Sequence, residues 1–326
     1  MFIGDDNRYE WKGVMTKKLL ITEVIDLMER RQIRGLTKAI SIIEDNKEGT
    51  EELLNDAFRK SCNAGISIGF TGAPGAGKST LVNAVIKQYR SAGKTVGVIA
   101  VDPTSPYSGG AVLGDRIRMR EHNVDSGVYI RSLASRRAQG GLSDVTKFAL
   151  YLYRAFGFDV IIVETLGVGQ DEIDVVKYVD VTALLLVPGY GDNIQLSKAG
   201  IMEIADVFII NKSDKPGADT LKEQLKNIIY VMPEGKRPPI VNTVADRSEG
   251  ILETVEAIEM VSCRNTGRKE QMYRQRIAEE IRSSINSRFK RDVERYIDEM
   301  IEKVISSSMT PIDASNEILR HLLIKK

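Results

Sequence analysis

The most informative stretch for chemistry is the glycine-rich run GFTGAPGAGKST at residues 69–80. It contains the spacing G-x-x-x-x-G-K-[ST], which is typical of loops that bind nucleotide phosphates. Glycines let backbone N–H groups turn toward phosphate oxygens, and the N-terminus of a following helix adds partial positive charge. The run follows a strand-like segment and opens a helical one, so we predict a phosphate-binding loop. Its residues are Gly72, Ala73, Pro74, Gly75, Ala76, Gly77, Lys78, Ser79 and Thr80.

Lys78 and Ser79 carry the side chains of this loop that suit catalysis. We expect Lys78 to reach the β- and γ-phosphates and the Ser79 hydroxyl to ligate Mg²⁺. Mg²⁺ prefers hard oxygen ligands, and acids at the carboxyl ends of parallel strands lie at the ligand crevice. Asp102 and Glu164 each end an apolar run, whereas Asp115 lies in a glycine-bearing loop; a cap or turn is the alternative role for each. We predict Lys78, Asp102 and Glu164 as catalytic residues and Ser79, Asp102, Asp115 and Glu164 as metal ligands.

The nucleotide base is indicated by the tetrapeptide Asn211-Lys212-Ser213-Asp214, which follows the apolar run VFII. It matches the guanine motif N-K-x-D, whose carboxylate accepts hydrogen bonds from guanine N1–H and the exocyclic amine. Adenine lacks this donor pair. We therefore predict Asn211, Lys212 and Asp214 as base-site residues and GTP rather than ATP as the nucleotide. A plain polar loop is the alternative for the tetrapeptide taken alone, and the range Asn242–Val244 is a weaker candidate for a second base-side loop.

The elements that must position these residues alternate along the chain from Ile66 onward. Short apolar runs, interleaved with helical segments, are ISIGFT, TVGVIAV, GVYIRS, DVIIVE, VTALLLV, VFIIN and PIVNT. Their near-continuous hydrophobicity predicts strands that are buried on both faces. We expect an α/β fold of the P-loop NTPase class, with a mostly parallel sheet flanked by helices.

Helical periodicity extends on both sides of this region. Residues 16–61 predict two or three amphipathic helices, separated at Gly35 and Gly49, and the charged segment after about Val261 predicts long helices. The long helices fit either a solvated layer on the domain or an arm that contacts a partner. We predict an N-terminal helical extension at 1–62, a P-loop GTPase domain at 63–260 and a C-terminal helical arm at 261–326.

Composition and charge narrow the function classes. The 326 residues carry 46 basic and 45 acidic side chains, so nothing electrostatic favours nucleic acid or an anionic membrane as a partner. Two isolated cysteines, Cys62 and Cys263, fit a reducing compartment. The first residues lack the apolar core of a signal peptide, and no apolar run reaches the ~20 residues of a membrane span. We expect a soluble, cytoplasmic protein.

Four long stretches, in order, carry a resemblance to a known family. They are TGAPGAGKSTL, VDPTSPYSGGAVLGDRIRM, ETLGVGQDE and VPGYGDNIQLSKAGIMEIADVFIINKSD. They closely resemble the methylmalonyl-CoA mutase-associated GTPases of the MeaB/ArgK/MMAA type, although Leu166 stands where valine is more usual. The resemblance implies a Mg²⁺-dependent GTPase chaperone with GTP and GDP as ligands. Such a chaperone binds an adenosylcobalamin-dependent acyl-CoA mutase, gates loading of its cofactor and protects the mutase from inactivation.

The resemblance also implies features that the motifs alone do not. The loop GYGDNIQLSKAG is similar to the family's third switch, so Asp192, Gln195 and Lys198 become candidates for coupling nucleotide state to the mutase; a solvated loop is the alternative. A homodimer formed by the C-terminal arm is implied, with a separate mutase chain as partner and its adenosyltransferase as a further candidate. No glutamine directly follows the E-x-x-G motif, since Gln170 comes three residues after Gly167. We hypothesise a slow intrinsic GTPase that a partner accelerates.

Other functions also fit a phosphate loop. A GTP-dependent metal-insertion protein usually carries clustered histidines or cysteines, whereas this chain has only His122, His321 and two isolated cysteines. A kinase of the ArgK type has no evident use for the N-K-x-D motif. A GTP-binding scaffold without hydrolysis is the non-enzymatic alternative.

Overall fold

The structure is a computed structural model that describes residues 20–61, 65–103, 122, 124–135, 144–165, 178–189, 205–234, 237–264, 266–306 and 308–324. The chain divides into two compact units, the first ending at Thr266 and the second spanning Gly267–Lys326. The boundaries predicted near residues 62 and 260 stay predictions. Among the described helices, none is both long and apolar enough to cross a membrane.

The first unit is built on a sheet whose described strands all pair in parallel. In chain order the strands are β1 Ile66–Gly72, β2 Val96–Pro103, β3 Val128–Ser135, β4 Val160–Glu164, β5 Val181–Leu186, β6 Val207–Asn211 and β7 Ile240–Thr243. The sheet order is β3-β2-β4-β1-β5-β6-β7. Each predicted apolar run forms one of these strands, which confirms the expected P-loop-type α/β fold. Because the chain order reverses at β1, a crevice opens at the carboxyl ends of the central strands.

Helices cover both faces of this sheet. Residues 20–29 form α1, and the other helices of the first unit are α2 Ile33–Glu44, α3 Thr50–Lys60, α4 Lys78–Ser91, α5 Asp144–Phe156, α6 Ala218–Tyr230 and α7 Ile251–Arg264. One apolar core joins α4 and α7 to the sheet. A second core joins α1, α2, α3 and α5 to β2, β3 and β4 on the opposite face. The N-terminal helices therefore form part of the layer that covers the sheet.

The break between the first two helices differs from the prediction. Gly35 lies inside α2, where a Cβ added to it would be 2.7 Å from the Cβ of Leu27. The expectation that Gly35 separates two helices is therefore wrong, because this glycine serves the close approach of α1 and α2. The chain turns instead at residues 30–32, where Arg31 has a φ of 54°. Gly49 does separate helices, since it precedes α3 with a φ of 91°.

The second unit contains α9 Pro311–Ile324 and all of α8 Thr266–Ile305 except its first residue. A small apolar core around Met300, Ala314 and Ile318 holds the two helices together. The start of α9 is capped by Thr310, whose Oγ1 accepts a hydrogen bond from the backbone N–H of Asp313 at 3.1 Å. The predicted C-terminal helices are thus present.

Candidate nucleotide-binding site

The phosphate-loop residues join the carboxyl end of β1 to the first turn of α4. Gly77 precedes α4 with a φ of 92°, a backbone conformation that favours glycine. Lys78 is buried, and its Nζ donates hydrogen bonds to the carbonyl oxygens of Gly72 at 2.5 Å and Ala73 at 3.2 Å. The ammonium group therefore lies against the loop itself. Pro74 and Gly75 are exposed, as is Thr80, whereas Ser79 is half-buried.

Asn211, at the end of β6, connects three segments of the site. Its side chain is 2% exposed, and its Nδ2 donates a hydrogen bond to the carbonyl oxygen of Ala76 at 2.8 Å. Its Oδ1 accepts bonds from Thr243 Oγ1 at 3.1 Å and from the backbone N–H of Ala245 at 3.2 Å. One buried amide thus joins the phosphate loop to the segments that follow β6 and β7.

The rest of the N-K-x-D segment extends these connections to the surface. Lys212 has a φ of 56°, and its Nζ donates a hydrogen bond to the carbonyl oxygen of Gly75 at 2.7 Å. The backbone N–H and the hydroxyl of Ser213 both donate to the carbonyl oxygen of Thr243 at 3.1 Å. Asp214 is exposed, and its Oδ2 lies 3.2 Å from Nη2 of Arg247. A carboxylate is therefore presented to solvent beside a rigidly connected pair of loops.

The acidic side of the site begins with Ser79 and Glu164. Ser79 Oγ donates a hydrogen bond to Oε1 of Glu164 at 2.6 Å, and Glu164 is 4% exposed. Ala100 of β2 is the register partner of Glu164 in β4. Asp102 comes two residues after Ala100 in β2, so its backbone lies near the same edge of the sheet as Glu164. Only the backbone of Asp102 is described, and Asp115 lies outside the described residues.

A hydroxyl and a carboxylate at hydrogen-bonding distance are a donor set that fits Mg²⁺, which takes hard oxygen ligands. In the described part of the chain, no group of three or more histidine, cysteine, aspartate or glutamate side chains could hold a metal ion. The Ser79 and Glu164 oxygens alone would therefore give only part of the ligand set of a Mg²⁺ ion. This is typical of Mg²⁺ bound together with nucleotide phosphates and water.

The far end of α4 is fixed by an ion pair. Arg90 donates to both carboxylate oxygens of Asp125, from Nε at 2.8 Å and from Nη2 at 2.8 Å. The bond from Arg90, and then the bond from the backbone N–H of Gly127, hold the pKa of Asp125 below its ordinary value. Closer to the phosphate loop on the same helix, Asn83 Oδ1 lies 2.5 Å from Nε2 of His122. The helix that carries Lys78 and Ser79 is thus anchored along its length.

Comparison with known proteins identifies the family. The chain matches the family described as methylmalonyl Co-A mutase-associated GTPase MeaB over residues 36–297. It belongs to the MeaB family. The expected family resemblance and the assignment as a P-loop GTPase are thereby confirmed.

Relatives and a solved structure extend the MeaB-family match over most of the chain. A predicted GTPase of Pyrococcus abyssi is 42% identical over 316 residues, which cover 93% of this chain and 97% of the relative. The methylmalonic aciduria type A homolog, mitochondrial, of Mus musculus is 34% identical over 272 residues, covering 78% of this chain and 64% of that protein. A crystal structure named LAO/AO transport system kinase is 25% identical, with a TM-score of 0.67, and covers 93% of this chain and 97% of its own.

Some functional candidates of this MeaB-family chain lie outside the described residues, and others were missed from sequence. The switch candidates Asp192, Gln195 and Lys198 fall in the first group. Arg247 and the backbone N–H of Ala245 were missed, although they follow directly after the weakly predicted base-side segment Asn242–Val244. In the sequence, Arg247 and Ala245 are marked only by their position after the last strand of the sheet. That position does not indicate which side chain points toward Asp214.

Proposed function

We propose that this MeaB-family chain binds GTP at the carboxyl end of β1 and hydrolyses it to GDP and phosphate. The observation that carries the proposal is the buried side chain of Asn211, the first residue of the N-K-x-D segment, which bonds to the phosphate loop and to Thr243 and Ala245 at the end of β7. Because all three bonds come from one amide, the phosphate and base subsites are held at a fixed separation. Such preorganisation reduces the ordering that nucleotide binding requires.

The phosphate subsite consists of residues 72–80. We propose that the nucleotide phosphates replace the loop carbonyls as partners of Lys78, whose ammonium then neutralises charge on the β- and γ-phosphates. The start of α4 adds the partial positive charge of a helix N-terminus. Lys78→Ala is expected to abolish productive GTP binding or turnover, measured as phosphate release.

Ser79 and Glu164 are proposed to hold Mg²⁺, together with Asp102 and Asp115. The short hydrogen bond from Ser79 to Glu164 supports this assignment, because it already brings together two oxygen atoms that can ligate a metal ion. When bound, the ion neutralises charge on the β- and γ-phosphates. We propose that Glu164 and Asp102 act as catalytic residues on this side of the nucleotide.

Asp214 is proposed to select guanine. The exposed carboxylate next to a fixed pair of loops supports recognition of the N1–H and the exocyclic amine. The test is Asp214→Asn, which places an amide donor at the carboxylate position. We expect weaker GDP binding and relatively stronger binding of xanthosine diphosphate, which carries a carbonyl oxygen where guanine has its amine. Unchanged strict preference for GDP would contradict the base-site assignment.

The partner is proposed to be an adenosylcobalamin-dependent acyl-CoA mutase. The family description, which names a methylmalonyl Co-A mutase, supports this choice. We propose that GTP hydrolysis gates cofactor loading and protects the mutase. Asp192, Gln195 and Lys198 would couple the nucleotide state to it, and the adenosyltransferase is a further candidate partner.

A direct test of the mutase proposal is complex formation in size-exclusion chromatography, with GDP or a non-hydrolysable GTP analogue bound. We expect a complex with the mutase whose stability depends on the nucleotide. A mutase inactivation assay with and without this protein then measures protection. Failure to bind any adenosylcobalamin-dependent acyl-CoA mutase, by a chain that hydrolyses GTP, would refute the partner assignment while leaving the GTPase intact.

A homodimer formed through the C-terminal helices is also proposed. On α8, the side chains of Ile281, Ile285 and Phe289 are four residues apart and exposed, so they form an apolar stripe along one face. A long helix needs such a face covered to be stable. Ile285→Glu is expected to convert a dimer into a monomer in light scattering, and Glu280→Ala on the same helix is a control that should leave the dimer intact.

A kinase is the second candidate function, favoured by the crystal structure named LAO/AO transport system kinase. The same Lys78 and Ser79 would then hold a nucleotide whose γ-phosphoryl group passes to an acceptor instead of water. Transfer of radiolabel from [γ-³²P]GTP to an acceptor protein would support this function. Release of all the label as inorganic phosphate would support the GTPase.

A further inference from the structure

Arg247 lies between two carboxylates at the edge of the base site. It ends a short 3₁₀ turn, Ala245–Arg247, which follows β7. Its Nη2 is 3.2 Å from Oδ2 of Asp214, and its Nε is 3.4 Å from Oε1 of Glu249. The guanidinium group therefore contacts the acid that is proposed to recognise guanine.

The backbone that carries Arg247 forms a closed turn. The backbone N–H of Val244 donates to the carbonyl oxygen of Glu249 at 3.1 Å, and the N–H of Glu249 donates back at 3.2 Å. The N–H of Arg247 also donates to the carbonyl oxygen of Val244 at 3.0 Å. Because both ends of the turn are paired, the Cα of Arg247 is held at a fixed position relative to β7.

Other donors in this turn have different partners. Thr243 Oγ1 and the N–H of Ala245 both bond to Asn211, and the side chain of Val244 has no donor. Within the part of the chain that the structure describes, Arg247 supplies the polar side-chain contact of the Asp214 carboxylate. Loss of Arg247 would leave that carboxylate oriented by its own side-chain torsions, of which the terminal one is broad.

We propose that Arg247 is a positioning residue that orients Asp214 for guanine and so strengthens selection of the guanine base. The inference rests on the proposed guanine site and deepens it. An ionised carboxylate has about four lone-pair positions, so Oδ2 accepts from Arg247 and from guanine at the same time. Recognition of both the N1–H and the amine needs a fixed carboxylate plane, whereas a single donor tolerates rotation.

The expected effect is modest, because both side chains are about half exposed, at 52% for Arg247 and 45% for Asp214. Exposed ion pairs of this kind change equilibrium constants by about two- to five-fold. The effect should be larger for a base that uses both carboxylate oxygens. We therefore expect a greater loss for GDP than for inosine diphosphate, which lacks the exocyclic amine.

The experiment is isothermal titration calorimetry of GDP and inosine diphosphate with the full chain. The variants are Arg247→Ala, Asp214→Ala and the double variant, with Arg247→Lys as the conservative replacement. We expect Arg247→Ala to raise the dissociation constant of GDP by about two- to five-fold and that of inosine diphosphate by less. In the Asp214→Ala background, Arg247→Ala should not change either dissociation constant further. Arg247→Lys should weaken GDP binding less than Arg247→Ala does.

Arg30→Ala is the matched control, because Arg30, which directly follows α1, forms a similarly exposed pair with Asp26 at 3.1 Å. It should leave both dissociation constants unchanged. The inference is overturned if Arg247→Ala leaves GDP binding unchanged, tightens it, or weakens it equally in the Asp214→Ala background. If Asp214→Ala itself leaves the ratio of GDP to inosine diphosphate affinity unchanged, the guanine-site assignment fails, and the inference about Arg247 fails with it.

Discussion

Replacing Gly77 with alanine tests the connection between the phosphate loop and the base-side segments. A Cβ at this position would lie 2.4 Å from Nδ2 of Asn211, far inside van der Waals distance. The neighbouring atom belongs to a side chain that is 2% exposed and makes three hydrogen bonds, so it cannot swing into solvent. Gly77→Ala should therefore displace Asn211 and disturb all the segments that its amide joins.

The magnitude has two parts. A non-glycine residue at the φ of 92° costs about 1–2 kcal/mol of backbone strain. Displacing Asn211 loses its hydrogen bond to Ala76 and leaves a buried donor unsatisfied, at about 1–3 kcal/mol. We expect Gly77→Ala to lower the free energy of unfolding of the first unit by about 2–5 kcal/mol in total, the sum of the two parts.

Gly93→Ala is the matched control for backbone strain. Gly93 has a φ of 73°, and an added Cβ would have nothing within 4 Å. This variant should therefore lose only the strain of about 1–2 kcal/mol. Urea denaturation followed by circular dichroism compares the two, and calorimetry measures GDP affinity, which Gly77→Ala should weaken and Gly93→Ala should not. Equal destabilisation by both variants, with GDP binding retained by Gly77→Ala, would refute the reasoning.

Three further predictions concern the ion pairs and the metal side. Asp180→Asn should lower stability by about 3 kcal/mol, measured by urea denaturation, because it removes the carboxylate that lies 3.2 Å from the buried Arg154 guanidinium; an unchanged midpoint would contradict this. Ser79→Ala should raise the Mg²⁺ concentration for half-maximal GTP turnover by at least about ten-fold, and an unchanged Mg²⁺ dependence would remove Ser79 from the metal site. Arg90 lowers the pKa of folded Asp125 below the ordinary value of 3.8, so this pair stabilises the fold above pH 3.8 and stops doing so as pH falls through the lowered pKa. Arg90→Ala should therefore lower Tm at neutral pH, and the difference from wild type should shrink in acid; a difference independent of pH would contradict the assignment.

Much of the fold could be predicted from sequence because the central strands β1, β4, β5 and β6 are almost fully buried. A run such as VTALLLV has no polar residue except Thr182, so its pattern indicates a central parallel strand, and β5 is fully buried. The position of the phosphate loop follows from the same logic, since its glycines come between such a strand and a helix. Both predictions use only residues that are close together in the sequence, so they do not require knowledge of which distant segments pack together.

Contacts between distant residues could not be predicted in the same way. Arg154 donates to Ser67 and lies beside Asp180, a network that depends on which helix covers which strand. Likewise, nothing in the order of residues indicates that Arg247 contacts Asp214, because the register of β6 and β7 decides it. The wrong prediction at Gly35 has the same origin. This glycine allows α1 and α2 to pack closely and does not end a helix, and the sequence alone does not distinguish these two roles.

The most direct test of the central claim is steady-state hydrolysis of GTP and ATP in the presence of Mg²⁺, with the protein alone and with an adenosylcobalamin-dependent acyl-CoA mutase from the same source. The account predicts turnover that is selective for GTP, slow for the protein alone and faster when the mutase is added. Lys78→Ala provides the background rate, since it should not respond to the mutase. Equal hydrolysis of ATP and GTP would contradict the guanine site, and GTP turnover that no such mutase changes would contradict the proposed partner.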